Sequence, residues 1–515
     1  MEIGVIKRFA VIDIGSNTIR LVVYEWGSEQ NLYELYNYKV PIRLRQYLDE
    51  NQKMREAGIQ LTISTLHKFK QAISGLAITH LDVIATAAFR LARNNKEMVA
   101  QIKQETGYQV RILSEKEEAY YGYRCIMYTT YVKDGVIVDI GGGSTEVTLV
   151  KDRKMVNSHS FSFGSVTLKQ LVEQERTNES KFEVIHRFLE ENWKAIPWVT
   201  NLRLPLIGLG GTVRSLAKVH AQFHRRPLYD IHQYQMIRSE VKQTIHHIMN
   251  EHDYRKSFLD VKSETRDDAL FPAVWVIQSL MNDIRSPYLL ISRKGLREGL
   301  ILTSLKMRLP RSGRELSQSS LRKFLAKHDI TEESHHIAAC SNRILQALER
   351  HLLFALYTKD YLALKRATLF SLVQHAYPGL SAKGLFHLLS RQSLDGISQK
   401  SQMRSIYIAC FSSKLQLIRL YKPYMNWFSE KEWKKIELMG AVLLISKKLM
   451  ITKRKLVEKV EVNRVESGLQ ICFYCLHDYT IEKQEVNRVK RHLEHVLNCN
   501  ISILFQRLEK ASIEN

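Results

Sequence analysis

The chain has 515 residues, 45% hydrophobic and 25% charged, with 76 Lys and Arg against 53 Asp and Glu for a net charge of +23. That length exceeds one core, so roughly two to four domains are expected. The even composition excludes a disordered chain, no apolar run approaches bilayer length, and the excess of positive charge favours polyanionic partners.

The opening residues, MEIGVIKRFAVIDIGS, lead straight into a strand, so a signal peptide is not expected. Residues 10–24 read AVIDIGSNTIRLVVY, and residues 136–150 read VIVDIGGGSTEVTLV. Each is a β-branched run ending in Asp-Ile-Gly, then a small polar turn, then a second apolar run: strand, tight turn, returning strand. Gly15 in one copy and Gly141, Gly142 and Gly143 in the other let backbone approach an anion closely. Asp13 and Asp139 end the first strands, where a carboxylate can face a metal or water beside that anion. A dinucleotide turn would open a helix, whereas Thr145–Val150 continues with strand periodicity. No Gly-x-x-x-x-Gly-Lys-Ser/Thr P-loop occurs. The duplication predicts two facing phosphate hairpins.

Between the hairpins, Leu81–Arg90 reads as a strand turning into a helix, and Tyr108–Leu113 as a strand. Ser114 with Glu117 forms a capping-box signature at the start of the next helix. After the second hairpin, Leu206–Thr212 is a buried strand meeting a Gly turn, with helix over Val213–Val219. Alternating β and α segments imply a mixed sheet flanked by helices. Pro, Gly and Ser cluster in 308–320, which reads as a linker.

Residues 316 to about 450 then carry helical periodicity, and 455–508 read strand, strand, helix, strand. Residues 311–515 hold 33 basic against 19 acidic side chains, so charge is concentrated there, notably from Arg404 to Lys455. Six cysteines make no disulfide framework and suggest reduced, buried thiols in a cytoplasmic protein. Cys472 and Cys475 lie in a strand-like run, where residues three apart point to opposite faces, which disfavours a zinc site.

The two hairpins, Ala85–Arg90, Leu113–Ala119, Ile207–Thr212, Arg266–Pro272 and Gly295–Gly299 together resemble the exopolyphosphatase and guanosine pentaphosphate phosphatase family, across residues 1 to about 308. The resemblance implies an α/β protein: actin-like (ribonuclease H-like) domains at 1–128 and 129–308, a linker at 309–320, a helical HD-like domain at 321–450 and a small α+β segment at 451–515. It implies hydrolysis of a terminal phosphoanhydride, with Glu118 as catalytic base and Asp139 and Glu146 holding Mg²⁺ or orienting water, Asp13 beside them. Relatives pair as dimers, which implies a homodimer. The HD pattern departs from type at Val373-Gln-His-Ala376, where Ala replaces the metal-binding Asp; His335-His336 could supply only the first ligand. A second metal site is therefore not expected.

The residues themselves suit that reaction. Phosphoanhydride hydrolysis needs positioning, neutralised oxygens and an oriented water. The turns after Asp13, Asp139 and Leu209 offer backbone N–H groups from Gly15, Gly141–Gly143, Gly210 and Gly211. Ser16, Asn17, Thr18, Ser144, Thr145 and Thr212 add hydroxyl or amide donors, and Arg90 a guanidinium fork. Glu117 suits capping, Arg20 either anion or surface, and Asp267–Asp268 with Arg297–Glu298 the pinning of helices. Lys434, Lys435, Lys447 and Lys448 are expected to form a surface track that threads a polyanion. Inorganic polyphosphate leads as substrate, with guanosine pentaphosphate or tetraphosphate next and no membrane. A kinase or ATPase, or a non-catalytic polyanion binder, are the readings from other classes.

Overall fold

A computed structural model describes residues 7–27, 32–174, 180–226, 230–250, 267–328, 333–377, 379–422 and 427–508. The chain divides into two units, Met1–His224 with Ile231–Lys323, and Arg225–Asp230 with Phe324–Asn515. In the first unit, strand β1 (Lys7–Ile14) turns at once into β2 (Thr18–Trp26), and β3 (Leu32–Pro41) returns along it. Strands β4 (His80–Ala85) and β5 (Val110–Ile112) add on the other side of β1, in parallel, giving the order β3-β2-β1-β4-β5. Val11, Ile12, Val22 and Val23 are buried. Helices cover both faces of this sheet, which explains a continuous apolar run where a one-sided sheet would alternate. Leu66, Phe69, Met98 and Ile102 fill one face, and Tyr121, Leu300 and Ile301 the other.

The same wiring repeats. Strands β6 (Gly135–Ile140), β7 (Thr145–Lys151) and β8 (Lys154–Phe161) form an antiparallel meander. Strands β9 (Leu206–Leu209), β10 (Tyr234–Ile237) and β11 (Tyr288–Ile291) complete the order β10-β11-β9-β6-β7-β8, with β9 parallel to both β6 and β11. The Glu115–Thr129 helix is shared: Tyr121 packs into the first sheet's core, Tyr123, Ile126 and Met127 into the second's. It meets the Leu296–Ser304 helix so closely that a Cβ on Gly299 would stand 1.9 Å from Tyr121 O.

The stretch read as a linker is helical from Gly313. Ser312 Oγ accepts from Glu315 N–H at 3.2 Å, and Glu315 Oε2 accepts from Arg311 N–H at 2.7 Å. Reciprocal capping of this kind starts a helix where the Pro-Gly-Ser composition suggested none.

The second unit is helical up to Leu449, then a sheet. Its helix Glu430–Leu449 carries charges at both ends but is buried through its middle, with Ile436, Leu438, Met439, Val442 and Leu443 in the core, as a central helix must be. Strands β12 (Val457–Val465), β13 (Gly468–Cys475) and β14 (Asn500–Arg507) make a three-stranded sheet, β14 joining β13 in parallel after the Thr480–Leu497 helix. Cys472 and Cys475 are free, buried thiols on β13. The side chains of His335, His375, Asp267 and Asp268 lie outside the described residues, as does Arg266. Among the described residues no helix is long and apolar enough to cross a membrane.

Candidate active site

The two Asp-Ile-Gly turns face each other. Each is closed by one hydrogen bond, Gly15 N–H to Thr18 O at 3.0 Å and Gly141 N–H to Ser144 O at 2.9 Å. A Cβ on Gly142 would lie 3.6 Å from Ser16 Cβ and 3.7 Å from Asn17 Cβ; one on Gly143 would lie 2.8 Å from Arg45 Nη1. The two turns are thus in van der Waals contact at Gly142, and at Gly143 a side chain would crowd Arg45 and Ser16. Arg45 clamps the pair by donating to Gly143 O at 3.4 Å.

A cavity of about 270 Å³ opens beside these turns. Its wall includes Gly15–Thr18, Gly141–Ser144 and Gly210–Thr212, with four carboxylates, Asp13, Glu118, Asp139 and Glu146. Gly210–Thr212 is the first turn of the Gly210–Phe223 helix rather than a loop, so its free N–H groups point as a helix N-terminus does. Gly210 takes φ +88°, and a Cβ there would meet Asp139 Oδ1 at 2.8 Å, so the backbone conformation and the carboxylate both require glycine.

Glu118 reaches the cavity because Ser114 and Glu117 cap the helix start. Ser114 N–H donates to Glu117 Oε2 at 2.8 Å, which occupies Glu117 in capping. Burial pushes the Glu118 carboxyl up to about 7; Arg90 opposes this, and Asp13 and Asp139 add to it. Arg90 Nη1 stands 3.3 Å from Glu118 Oε1, yet that buried oxygen has no hydrogen bond. Asp139 and Glu146 face one another across the β6/β7 ladder. Burial raises Asp139 to about 6 against the pull of Arg214 and Arg297, with Asp13 raising it further. Burial, then Glu118 and Asp139, hold Glu146 well above the usual carboxylate range. Like charges directly opposed in a sheet are unfavourable, so this site stores repulsion that a cation or proton relieves.

Asp13 is anchored from another side. Arg297 Nη1 donates to Asp13 Oδ2 at 3.0 Å. Neighbouring Glu298 is fixed by Tyr24 Oη at 2.6 Å and by Gly295 N–H at 2.7 Å. Burial alone would raise Glu298, but Arg297 and those two hydrogen bonds hold it below its ordinary value.

Among the described residues no three His, Cys, Asp or Glu side chains form a ready-made metal cage. The donor set still fits a hard divalent cation such as Mg²⁺, which takes one or two carboxylates and completes its shell with phosphate and water. Asp139 and Glu146 are the buried, mutually repelling pair such a charge would relieve, with Asp13 on the same wall.

Most residues singled out in the sequence meet at this cavity, and three groups do not. Thr145 is fully buried and donates its hydroxyl to Phe163 O at 2.8 Å, tying the hairpin down rather than meeting an anion. Arg90 lies outside the cavity wall, donating to Leu113 O at 2.8 Å and pairing with Glu118. In the second unit, Lys435 is buried on Asp360 at 2.9 Å and Lys447 donates to Gln374 at 3.2 Å. Lys448 pairs with Glu485 at 2.6 Å and exposed Lys434 with Glu430 at 3.1 Å. The surface track is thereby corrected: adjacent lysines on one helix face different ways, and two of the four turn inward. Arg214, Lys39 and Ser165 line the cavity and were not singled out. Arg214 follows Gly210-Gly-Thr by one turn, a signal that was available; Lys39 becomes visible only through strand register.

Paired sheets of one wiring, with facing phosphate turns and buried acids between them, define an α/β phosphate-handling enzyme of the actin-like class. The Ppx/GppA phosphatase family pattern matches residues 22–308, and the chain belongs to that family. A bifunctional 3-dehydroquinate synthase/phosphatase of Fusobacterium nucleatum is 25% identical over 311 residues, 58% of this chain. The match spans about half, 46%, of that relative's length. The crystal structure of the Aquifex aeolicus Ppx/GppA family member is 25% identical with TM-score 0.51, covering 58% of this chain and 98% of that one. An exopolyphosphatase structure from Cytophaga hutchinsonii shares the fold at 23% identity and TM-score 0.53, with the same coverage.

Proposed function

We infer that the chain is an exopolyphosphatase, hydrolysing terminal phosphoanhydride bonds of inorganic polyphosphate and releasing orthophosphate. The observation that carries this reading is the cavity wall itself. It joins two phosphate turns, a helix N-terminus and a carboxyl held near 7, and no aromatic side chain among its described residues offers a base a stacking surface. The terminal phosphate lies against backbone N–H groups of the turns and the hydroxyls of Ser16, Ser144 and Thr212. Glu118 in its ionised form takes one proton from a water as the water oxygen bonds to the terminal phosphorus. The bridging P–O bond breaks, and its electron pair stays on the shortened chain. Asp139, Glu146 and Asp13 would hold a divalent cation, which when bound neutralises charge on phosphate oxygens. The helical second unit is read as an HD-like scaffold without a metal, Ala376 standing where a ligand Asp belongs.

Orthophosphate release from long-chain polyphosphate, wild type beside Glu118→Gln, tests this. General-base catalysis predicts a loss of about 10²- to 10⁴-fold in the variant. Preference of the wild type for guanosine pentaphosphate at matched concentration would replace the substrate and keep the chemistry.

A further inference from the structure

The helical unit holds a charged network of its own. Asp360, on the helix Thr358–Ser371, is 1% exposed and meets Lys435 Nζ at 2.9 Å and Arg404 Nη1 at 3.9 Å. Arg404, on the helix Gln399–Ala409, also pairs with Glu432, which holds Lys400 at 3.3 Å. Each of these cations has a carboxylate. Arg366, six residues beyond Asp360 on the same helix, has none among the described residues. Its Nε donates to Ser405 Oγ at 3.2 Å, and Ser405 in turn donates to Ser401 O at 3.2 Å, so that contact brings no negative charge. Burial, and then the repulsion of Arg404 beside it, lower Arg366 to about 10, which leaves it charged at neutral pH.

A buried ammonium can shed its proton, whereas a guanidinium keeps its charge and needs an anion. With Nε engaged, Nη1 and Nη2 remain, and such a fork takes two oxygens of one oxyanion. The side chain is half-buried, so the fork is open to a small ion. Counting Arg366, the network sets four cations, Arg366, Lys400, Arg404 and Lys435, against two carboxylates, Asp360 and Glu432. Two positive charges are left unmatched. A phosphate group brings up to about two negative charges at neutral pH, whereas a single carboxylate would balance only half of the excess. We propose that Arg366, backed by Arg404, anchors a phosphate-binding site within the helical unit, which takes free orthophosphate or the end of a phosphate chain. The site stands on this network alone and does not depend on the exopolyphosphatase reading.

The test is calorimetric titration of inorganic phosphate into the full-length chain, wild type beside Arg366→Gln, at constant ionic strength and with acetate as the control anion. The cavity beside Glu118 is the same in both proteins, so the wild type should show one binding event more than the variant. That event should weaken about ten- to hundredfold on substitution, the value of one charge-assisted contact. Arg366→Lys keeps the charge without the fork and should fall between the two. Phosphate release from polyphosphate should be equal in wild type and Arg366→Gln, which rules out a folding defect as the cause. Phosphate should also raise the melting temperature of the wild type more than that of Arg366→Gln. Tripolyphosphate identifies the source: a loss confined to it assigns a chain end, and a loss shared with orthophosphate assigns the free ion. Identical titrations of wild type and Arg366→Gln with both ligands, or acetate filling the site as well as phosphate does, would overturn the proposal. A wild type that releases phosphate from no chain length removes the hydrolase reading and leaves these titrations standing.

Discussion

Arg90 and Glu118 form a half-made contact: Nη1 lies 3.3 Å from Oε1, while the same guanidinium is held by Leu113 O at 2.8 Å. Arg90 thus ties the β5 exit to the helix bearing the base, and its charge opposes the rise that burial imposes on Glu118. Removing that charge lets the carboxyl rise further. Arg90→Ala should displace the acidic limb of the pH–rate profile to higher pH, and Arg90→Lys should displace it less. A drop in rate with the limb unmoved would assign Arg90 to substrate contact instead.

The pH behaviour of the wild type follows from the same group. Glu118 must be ionised to accept a proton, so activity should climb with pH through about 7. Stability should run the other way. Glu118, Asp139 and Glu146 all bind protons more tightly folded than unfolded. From about pH 4.5 to 7 the native state therefore holds more protons than the unfolded one, and unfolding free energy falls as pH rises. For Glu118 alone the loss is on the order of 2–3 kcal/mol. Urea denaturation in EDTA at pH 5 and pH 8 checks this: Glu118→Gln should flatten the dependence, and a wild type equally stable at both pH values would refute it.

Local chemistry made parts of this molecule legible in sequence and hid others. The Asp-Ile-Gly hairpins declare themselves because a buried strand, a glycine turn and a returning strand are all set within fifteen residues. Ser114 and Glu117 likewise announce their helix, since capping is local. The Ser312-to-Glu315 cap carries the same signature but sits in Pro-Gly-Ser surroundings that read as linker. Lys39 joins the cavity only through register across β2 and β3, and Arg297 meets Asp13 from 284 residues away. Such contacts belong to topology, which periodicity does not encode. The buried lysines failed for a related reason: charge counted along a chain says nothing about which way each side chain of a helix turns.

Lys435 turns that last point into a measurement. It is buried on Asp360, itself 1% exposed, with Tyr357's ring 4.6 Å from the ammonium. Asp360 keeps Arg404 Nη1 at 3.9 Å and accepts from Tyr357 N–H at 3.0 Å. Removing Lys435 therefore takes away its nearest cation but not every partner, at a cost of about 1–3 kcal/mol, below that of breaking an isolated buried pair. Lys434 is exposed and pairs with Glu430 four residues back, an interaction worth about 0.3–0.5 kcal/mol. Thermal unfolding should show a large loss for Lys435→Ala and almost none for Lys434→Ala. Equal, small effects on stability with a shared loss of polyphosphate affinity would restore the surface track.

Gly299 tests whether the shared helix governs the site. Its Cα lies against Tyr121 O, three residues beyond Glu118 on the Glu115–Thr129 helix, and a Cβ would fall 1.9 Å from that oxygen. Backbone cannot yield as a side chain would, so Gly299→Ala must push apart two helices that carry Glu118 on one side and Arg297 on the other. Overpacking a tight contact costs about 1–3 kcal/mol, and the rigid partner here places the change at the upper end. The displacement also reaches the reaction, because misplacing catalytic groups by about 1 Å can cost 10²-fold. Gly299→Ala should therefore lower kcat for phosphate release and melting temperature together. Gly211→Ala, which meets nothing within 4 Å, is the control for adding a methyl near the same cavity and should leave the melting temperature close to that of the wild type. If Gly299→Ala proves as mild as that control, the helix crossing is looser than its geometry implies, and the position of Glu118 must be set by Arg90 and the Ser114 cap alone.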